Sequence, residues 1–166
     1  DVTHTTMGLE SVEWDGTMYH AYVWPDEPRP SYVYDEDANG AFLIRNSDNV
    51  EIDNTCEYLM VHFRLYSQRL PYDVWLNGAW TYDSFAPKYL MTWNDEQQLY
   101  EADVWLKQGY YNYQYLTLTP EGSYVVVPSE GNFYQTENQY QALVYYRAPG
   151  GRTDRLVGYA NVRLTK

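Results

Sequence analysis

The sequence predicts an all-β protein, a β-sandwich, on three observations. Apolar and polar residues alternate at period two in several runs, and no run carries a helical stripe. The composition favours pleated structure, with 20 Tyr and 6 Trp among 166 residues and only 4 Phe. Turn residues break the chain at short intervals, the spacing expected of about nine short antiparallel strands. A chain of this length buries a core without disulfide staples.

From the N-terminus, "VEWDGTMYHAYVW" sets Asp15-Gly16 between two strand-like runs, the signature of a two-residue hairpin. "WPDEPRPS" follows, with Pro25, Pro28 and Pro30, and reads as a linker or sheet-crossing segment. It divides a hairpin-and-linker region at 1–30 from a sandwich at 31–166. A hairpin that small is not stable alone, so it packs on the sandwich or belongs to a preceding domain.

"YVYDEDANGAFLI" predicts a longer hairpin loop. In "EYLMVHFRL", Leu59, Val61, Phe63 and Leu65 share one face, against Tyr58, Met60, His62 and Arg64. In "QLYEADVWL", Tyr100, Ala102, Val104 and Leu106 oppose Glu101, Asp103 and Trp105. In "DRLVGYANVRL", Leu156, Ala160, Val162 and Leu164 oppose Arg155, Asn161 and Arg163. Each pattern fits a strand with one face on a core. Turns are predicted at Asn94–Gln97, near Gly109, and at Pro120–Gly122, and "YRAPGGRTDRL" reads as a loop. In "LKQGYYNYQYLTL", a strand after Gly109 places Tyr111, Tyr113 and Tyr115 on an inward face. Tyr110 is left on the polar side, a candidate surface residue.

The formal net charge of −12 argues against nucleic acid and anionic membranes as partners. No apolar run reaches membrane-spanning length, so no insertion is expected, and no leader pattern opens the chain. The single cysteine, Cys56, forms no internal disulfide and reads as a small buried side chain.

No constellation points to catalysis. His4, His20 and His62 have no nucleophile motif beside them, and Cys56 and His62 stand too far apart along a strand for proton transfer. The carboxylates are too many for any pair to stand out. The chain is therefore expected to be no enzyme and to carry no cofactor. "DEDANGAFLIRN" resembles half of a calcium loop, with Asp35, Asp37, Asn39 and Gly40 at its early positions. Asn46 stands where a bidentate Glu should close the site, and the segment reads as a polar turn. Zinc spacing is absent.

Aromatic residues offer a binding surface. Trp75, Trp80, Tyr82, Phe85, Trp93 and Trp105 fall in one third of the chain, and "NGAWTYDSF" mixes turn residues with aromatics. Trp80, Tyr82 and Phe85 are the candidate anchors, beside Tyr110, because interface energy concentrates in exposed aromatics. The competing reading packs most of them in the core.

The stretches "SYVYDEDANGAFLIRNSDN", "YLMVHFRL", "DVWLNGAW", "LMTWNDEQQLYEADVWLKQGYYNYQY" and "EGNFYQTENQYQALVYYRAPGGRTDRLVGY" occur in an order that resembles one Bacteroidetes family. That family, formerly of unknown function, is linked to the plug protein of the type IX secretion system. The resemblance spans residues 31 to about 160. It implies that this chain is the C-terminal part of a longer protein, sent to the periplasm by a signal peptide and associated with the outer membrane. It implies a protein partner, the outer-membrane translocon, whose periplasmic opening such a plug closes when no substrate passes.

A weaker resemblance runs through "DVWLNGAW…YLMTW…LYEADVWLKQGYYNYQYLTL", which is similar in layout to early-set immunoglobulin-like modules that bind glycogen and starch. It refines the expected fold to an immunoglobulin-like, early-set antiparallel β-sandwich with an N-terminal hairpin extension. Those modules carry G-x-F-x-x-W in a first loop. Here Trp80 takes the Phe place after Gly78, and Asp83 stands where the sugar-stacking Trp would be. Carbohydrate binding through aromatics around Trp80 is the alternative expectation, weakened by that departure.

Overall fold

The computed structural model describes residues 8–32, 40–46, 55–127, 131, 133–135 and 138–164. The chain forms two compact units, Asp1–Asn132 and Phe133–Lys166. The first contains strands β1 (Leu9–Trp14), β2 (Tyr19–Val23), β3 (Phe42–Ile44), β4 (Tyr58–Tyr66), β5 (Val74–Asn77), β6 (Thr92–Asn94), β7 (Leu99–Lys107), β8 (Gly109–Tyr111), β9 (Gln114–Leu118) and β10 (Tyr124–Val126). The second contains β11 (Asn138–Tyr146) and β12 (Arg155–Leu164). Two 3₁₀ turns, Ala79–Thr81 and Pro87–Tyr89, are the helical segments of the described residues. The protein is all-β.

A five-stranded sheet runs β1-β2-β4-β7-β6, and a three-stranded sheet runs β10-β9-β5. Their apolar faces close on one core. From the larger sheet come Ala21, Leu59, Val61, Phe63, Leu65, Tyr100, Ala102 and Val104. From the smaller sheet and its connections come Val74, Leu76, Tyr115, Val127, Trp80, Tyr89 and Met91. The alternation read in β4 and β7 is thus the alternation between core and solvent. Each large aliphatic side chain removed from water here stabilises the fold by roughly 1.5–3 kcal/mol.

Among the described residues, all ladders are antiparallel except one. β2 pairs with β4 in parallel, Tyr19 opposite Leu59 through Tyr22 opposite His62. That pairing corrects the purely antiparallel expectation, and it makes the N-terminal hairpin two strands of the main sheet. The proline-bearing segment continues the pairing past β2. Asp26 donates its N–H to Arg64 O at 2.8 Å and accepts from Tyr66 N–H at 2.8 Å. Its carboxylate then accepts from the hydroxyls of Tyr113 at 2.8 Å and Tyr115 at 2.6 Å.

Two local expectations change. The β1–β2 connection is a four-residue loop, Asp15–Met18, with Trp14 opposite Tyr19. Asp15 closes it: Oδ1 accepts from the N–H groups of Thr17 and Met18 at 2.7 and 2.8 Å. A side chain that satisfies two backbone donors removes the need for a tighter turn. The tyrosine-rich stretch is two strands and not one, since β8 pairs with β3 while β9 pairs with β5 and β10. Gly109 allows β8 to approach β3 closely, because a Cβ there would meet Leu43 O at 2.4 Å. Tyr115 is buried as expected, while Tyr111 and Tyr113 are half-buried at the margin.

The second unit is a two-stranded ribbon. β11 pairs with β12 from Asn138 opposite Leu164 to Tyr146 opposite Arg155, with a register shift after Val144 that leaves Val157 unmatched. Its loop is clamped by Arg147, whose Nε and Nη2 donate to Asp154 Oδ1 and Oδ2 at 2.7 and 2.8 Å.

Candidate interaction surfaces

The loop after β5 carries three of the four sequence-predicted anchors, and the structure separates them. Asn77, buried at the end of β5, donates through Nδ2 to Thr81 Oγ1 at 3.2 Å and accepts from Gln114 at 3.3 Å. Thr81 donates its hydroxyl to Gly78 O at 2.8 Å. These bonds wind Ala79–Thr81 into a 3₁₀ turn that swings Trp80 inward. Gly78 is required there, since a Cβ would lie 2.4 Å from the Trp80 indole nitrogen. Trp80 is 7% exposed; it packs against Phe63, Tyr89 and Tyr111 and donates its N–H to Asn112 O at 3.2 Å. Its assignment as a surface anchor is therefore corrected: it is a core residue. An indole is easier to bury when a backbone carbonyl stands ready for its N–H.

The same turn throws the next residues outward. Tyr82 and Asp83 have φ of 52° and 51°, two consecutive non-glycine residues in the left-handed region. Such residues cost of order 1–3 kcal/mol each and persist where surroundings hold them. Asn77 Nδ2 reaches Asp83 Oδ1 at 3.4 Å, which holds one of the pair. Tyr82 is 83% exposed. Phe85 is half-buried, edge-on to Trp75 at 5.3 Å and stacked on exposed Tyr124 of β10 at 4.8 Å. Tyr110 is exposed on β8, where its hydroxyl accepts from Asn112 at 3.1 Å. Tyr82, Phe85 and Tyr110 thus remain at or near the surface, with Tyr124 joining Phe85.

Asp35, Asp37 and Asn39 lie outside the described residues. Among the described residues, no group of three His, Cys, Asp or Glu side chains is placed to hold a metal. Cys56 is buried near Tyr111, whose hydroxyl is pushed up to about 12 by burial first and then by the neighbouring Cys56 and Tyr58. A phenol shifted that way is a structural donor, here to Lys107 O at 2.7 Å, and not a proton carrier at neutral pH.

The β11–β12 ribbon presents a surface that the sequence reading missed. On one face stand Tyr140, Ala142, Val144 and Tyr146, opposite Val162, Ala160 and Gly158. On the other, Leu143 and Tyr145 stand opposite Tyr159 and Leu156, beside the polar pairs Gln139–Arg163 and Gln141–Asn161. All the large members of both sets are exposed. A signal was present, because "ALVYY" and "RLVGYA" are apolar on both faces, the pattern of a strand covered from two sides.

No family model matches the chain, and no curated protein matches it. A solved structure does. The 2.30 Å crystal structure of a hypothetical protein from Parabacteroides merdae ATCC 43184 matches 97% of this chain at 39% identity, with a TM-score of 0.84. This chain spans 42% of the length of that protein. The likeness covers both fold and sequence, and it brings no activity, ligand or partner.

Proposed function

We propose that the chain is a non-enzymatic periplasmic docking module of a type IX plug-like protein, occluding or seating on an outer-membrane translocon. The observation that carries this reading is the two-faced apolar ribbon β11–β12. A two-stranded hairpin is marginal by itself in water. One that exposes tyrosine and valine on one face and tyrosine and leucine on the other is built to be covered. Tyrosines spaced around small residues such as Ala142, Ala160 and Gly158 suit protein contact, where rigid aromatics anchor and small residues admit the partner's side chains. The sequence resemblance supplies the partner class. The match to a protein from a Bacteroidetes species is in keeping with it. The immunoglobulin-like, early-set character of the sandwich belongs to the same reading.

Co-purification from native membranes tests it. The chain should bring down an outer-membrane translocon, and Tyr140→Asp with Val144→Asp should abolish the association while leaving the first unit folded. Recovery without any translocon component, or full retention by the variant, refutes the reading. In the alternative, an α-glucan-binding module, Trp80 is not free to stack on sugar, so binding would have to rest on Tyr82, Phe85 and Tyr124. Retardation in glucan-containing gels that disappears in Tyr124→Ala would favour it.

A further inference from the structure

The outer face of the five-stranded sheet and the adjoining β1–β2 loop carry four titratable side chains in a continuous row. Asp15 Oδ2 lies 3.0 Å from His20 Nε2, His20 Nδ1 lies 2.8 Å from His62 Nε2, and His62 Nδ1 lies 2.7 Å from Asp103 Oδ1. The imidazole planes differ by 11° and their centres are 5.1 Å apart. That spacing equals the nitrogen–nitrogen distance plus the two ring radii. The rings therefore lie end to end in nearly one plane, with the hydrogen bond along the line of centres.

Proton counting decides what the row holds. Three contacts need three N–H groups, because ionised carboxylates only accept. Two neutral imidazoles supply two. Whichever tautomers are drawn, one contact is left with a lone pair facing a lone pair. One more proton resolves it and sets an imidazolium between two carboxylates. We propose that Asp15, His20, His62 and Asp103 form a proton-binding site whose single extra proton, shared by the two histidines, ties the β1–β2 hairpin to β4 and β7.

Carboxylates outnumber cations around the row. Glu13 of β1 stands opposite His20, and Asp103 and Glu101 of β7 stand opposite His62 and Arg64. Tyr22 of β2 stacks on His62 with ring centres 4.4 Å apart. The nearby cations are Arg64, already engaged by Glu10 and Val23 O, and Lys88, across a shallow basin of about 520 Å³. Asp15 remains an anion through the neutral range, held down to about 2 by the N–H of Met18, then by His20 and Thr17.

A metal ion fits the gap poorly. Zinc–imidazole bonds of about 2.0–2.1 Å would need the nitrogens about 4 Å apart on the line of centres. Each nitrogen also points at the other and not at a common third point.

Ring-nitrogen NMR of the 166-residue chain, titrated from about pH 5 to about pH 9, reads the proton directly. His20 Nδ1 and His62 Nε2 should share one proton and lose it in a single coupled step. Over the same range, intrinsically corrected amide protection in β2 should fall roughly tenfold more in the wild type than in His20→Asn or His62→Asn. Independent titration of the two rings overturns the proposal even if neither variant folds. Equal pH dependence in wild type and both variants also overturns it, as does displacement of the shared proton by stoichiometric zinc.

Discussion

β4 and β12 carry the same kind of sequence and meet opposite fates. Both are long alternating strands. In β4, Leu59, Val61, Phe63 and Leu65 are buried while the intervening side chains are not. In β12, Leu156, Val157, Tyr159 and Val162 are all exposed. Alternation records that a strand has two different faces; whether anything covers a face depends on a second layer. β4 has one, the β10-β9-β5 sheet with Trp80, Tyr89 and Met91. The difference separates residues that stabilise this fold from residues available for contact.

That contrast breaks or sharpens under substitution. Removing Phe63 or Trp80 to Ala should cost about 3–5 kcal/mol in denaturant unfolding of the first unit, by lost burial and cavity formation. Tyr159→Ala in the ribbon should leave the same transition within about 0.5 kcal/mol, the range for surface changes. Tyr115→Phe removes one hydroxyl from Asp26 and should cost about 1–3 kcal/mol, because a half-buried carboxylate loses a donor. Tyr82→Gly should raise stability by about 1 kcal/mol, relieving one left-handed residue. If it does not, the strain has another support.

The smallest effect lies at acid pH. The Asp15 carboxyl sits at about 2, below its ordinary 3.8, because backbone N–H groups and His20 bind its ionised form. Its contribution is therefore fully present above the ordinary value and is lost as pH falls towards about 2. Asp15→Asn should flatten that acid limb, as followed by circular dichroism.

Much of the sandwich was legible in the sequence, because period two in β4 and β7 maps directly onto burial. The neighbours of a strand were not. Nothing in "YHAYV" says that it lies parallel to "YLMVH", so the convergence of His20 on His62 stayed hidden although each sits on an outward face. Trp80 was misplaced for a local reason. The turn that reads as an exposed loop is wound inward by Asn77, Thr81 and a glycine, and the acceptor for its indole comes from Asn112, far off in sequence. In the ribbon the alternating set was read as one covered face, whereas apolar residues on both faces marked the need for covers.

The unmatched Val157 has a consequence for how the ribbon can be joined. A strand arriving along the edge of β12 would need evenly spaced donors and acceptors to extend the ladder. One extra residue breaks that spacing and increases the local twist. Among the described residues no third strand pairs with the ribbon, and an open strand edge is otherwise a template for endless strand addition. The irregularity at Val157 discourages that growth, and it leaves side-chain packing on the faces as the geometry by which the proposed partner would seat without recruiting further copies.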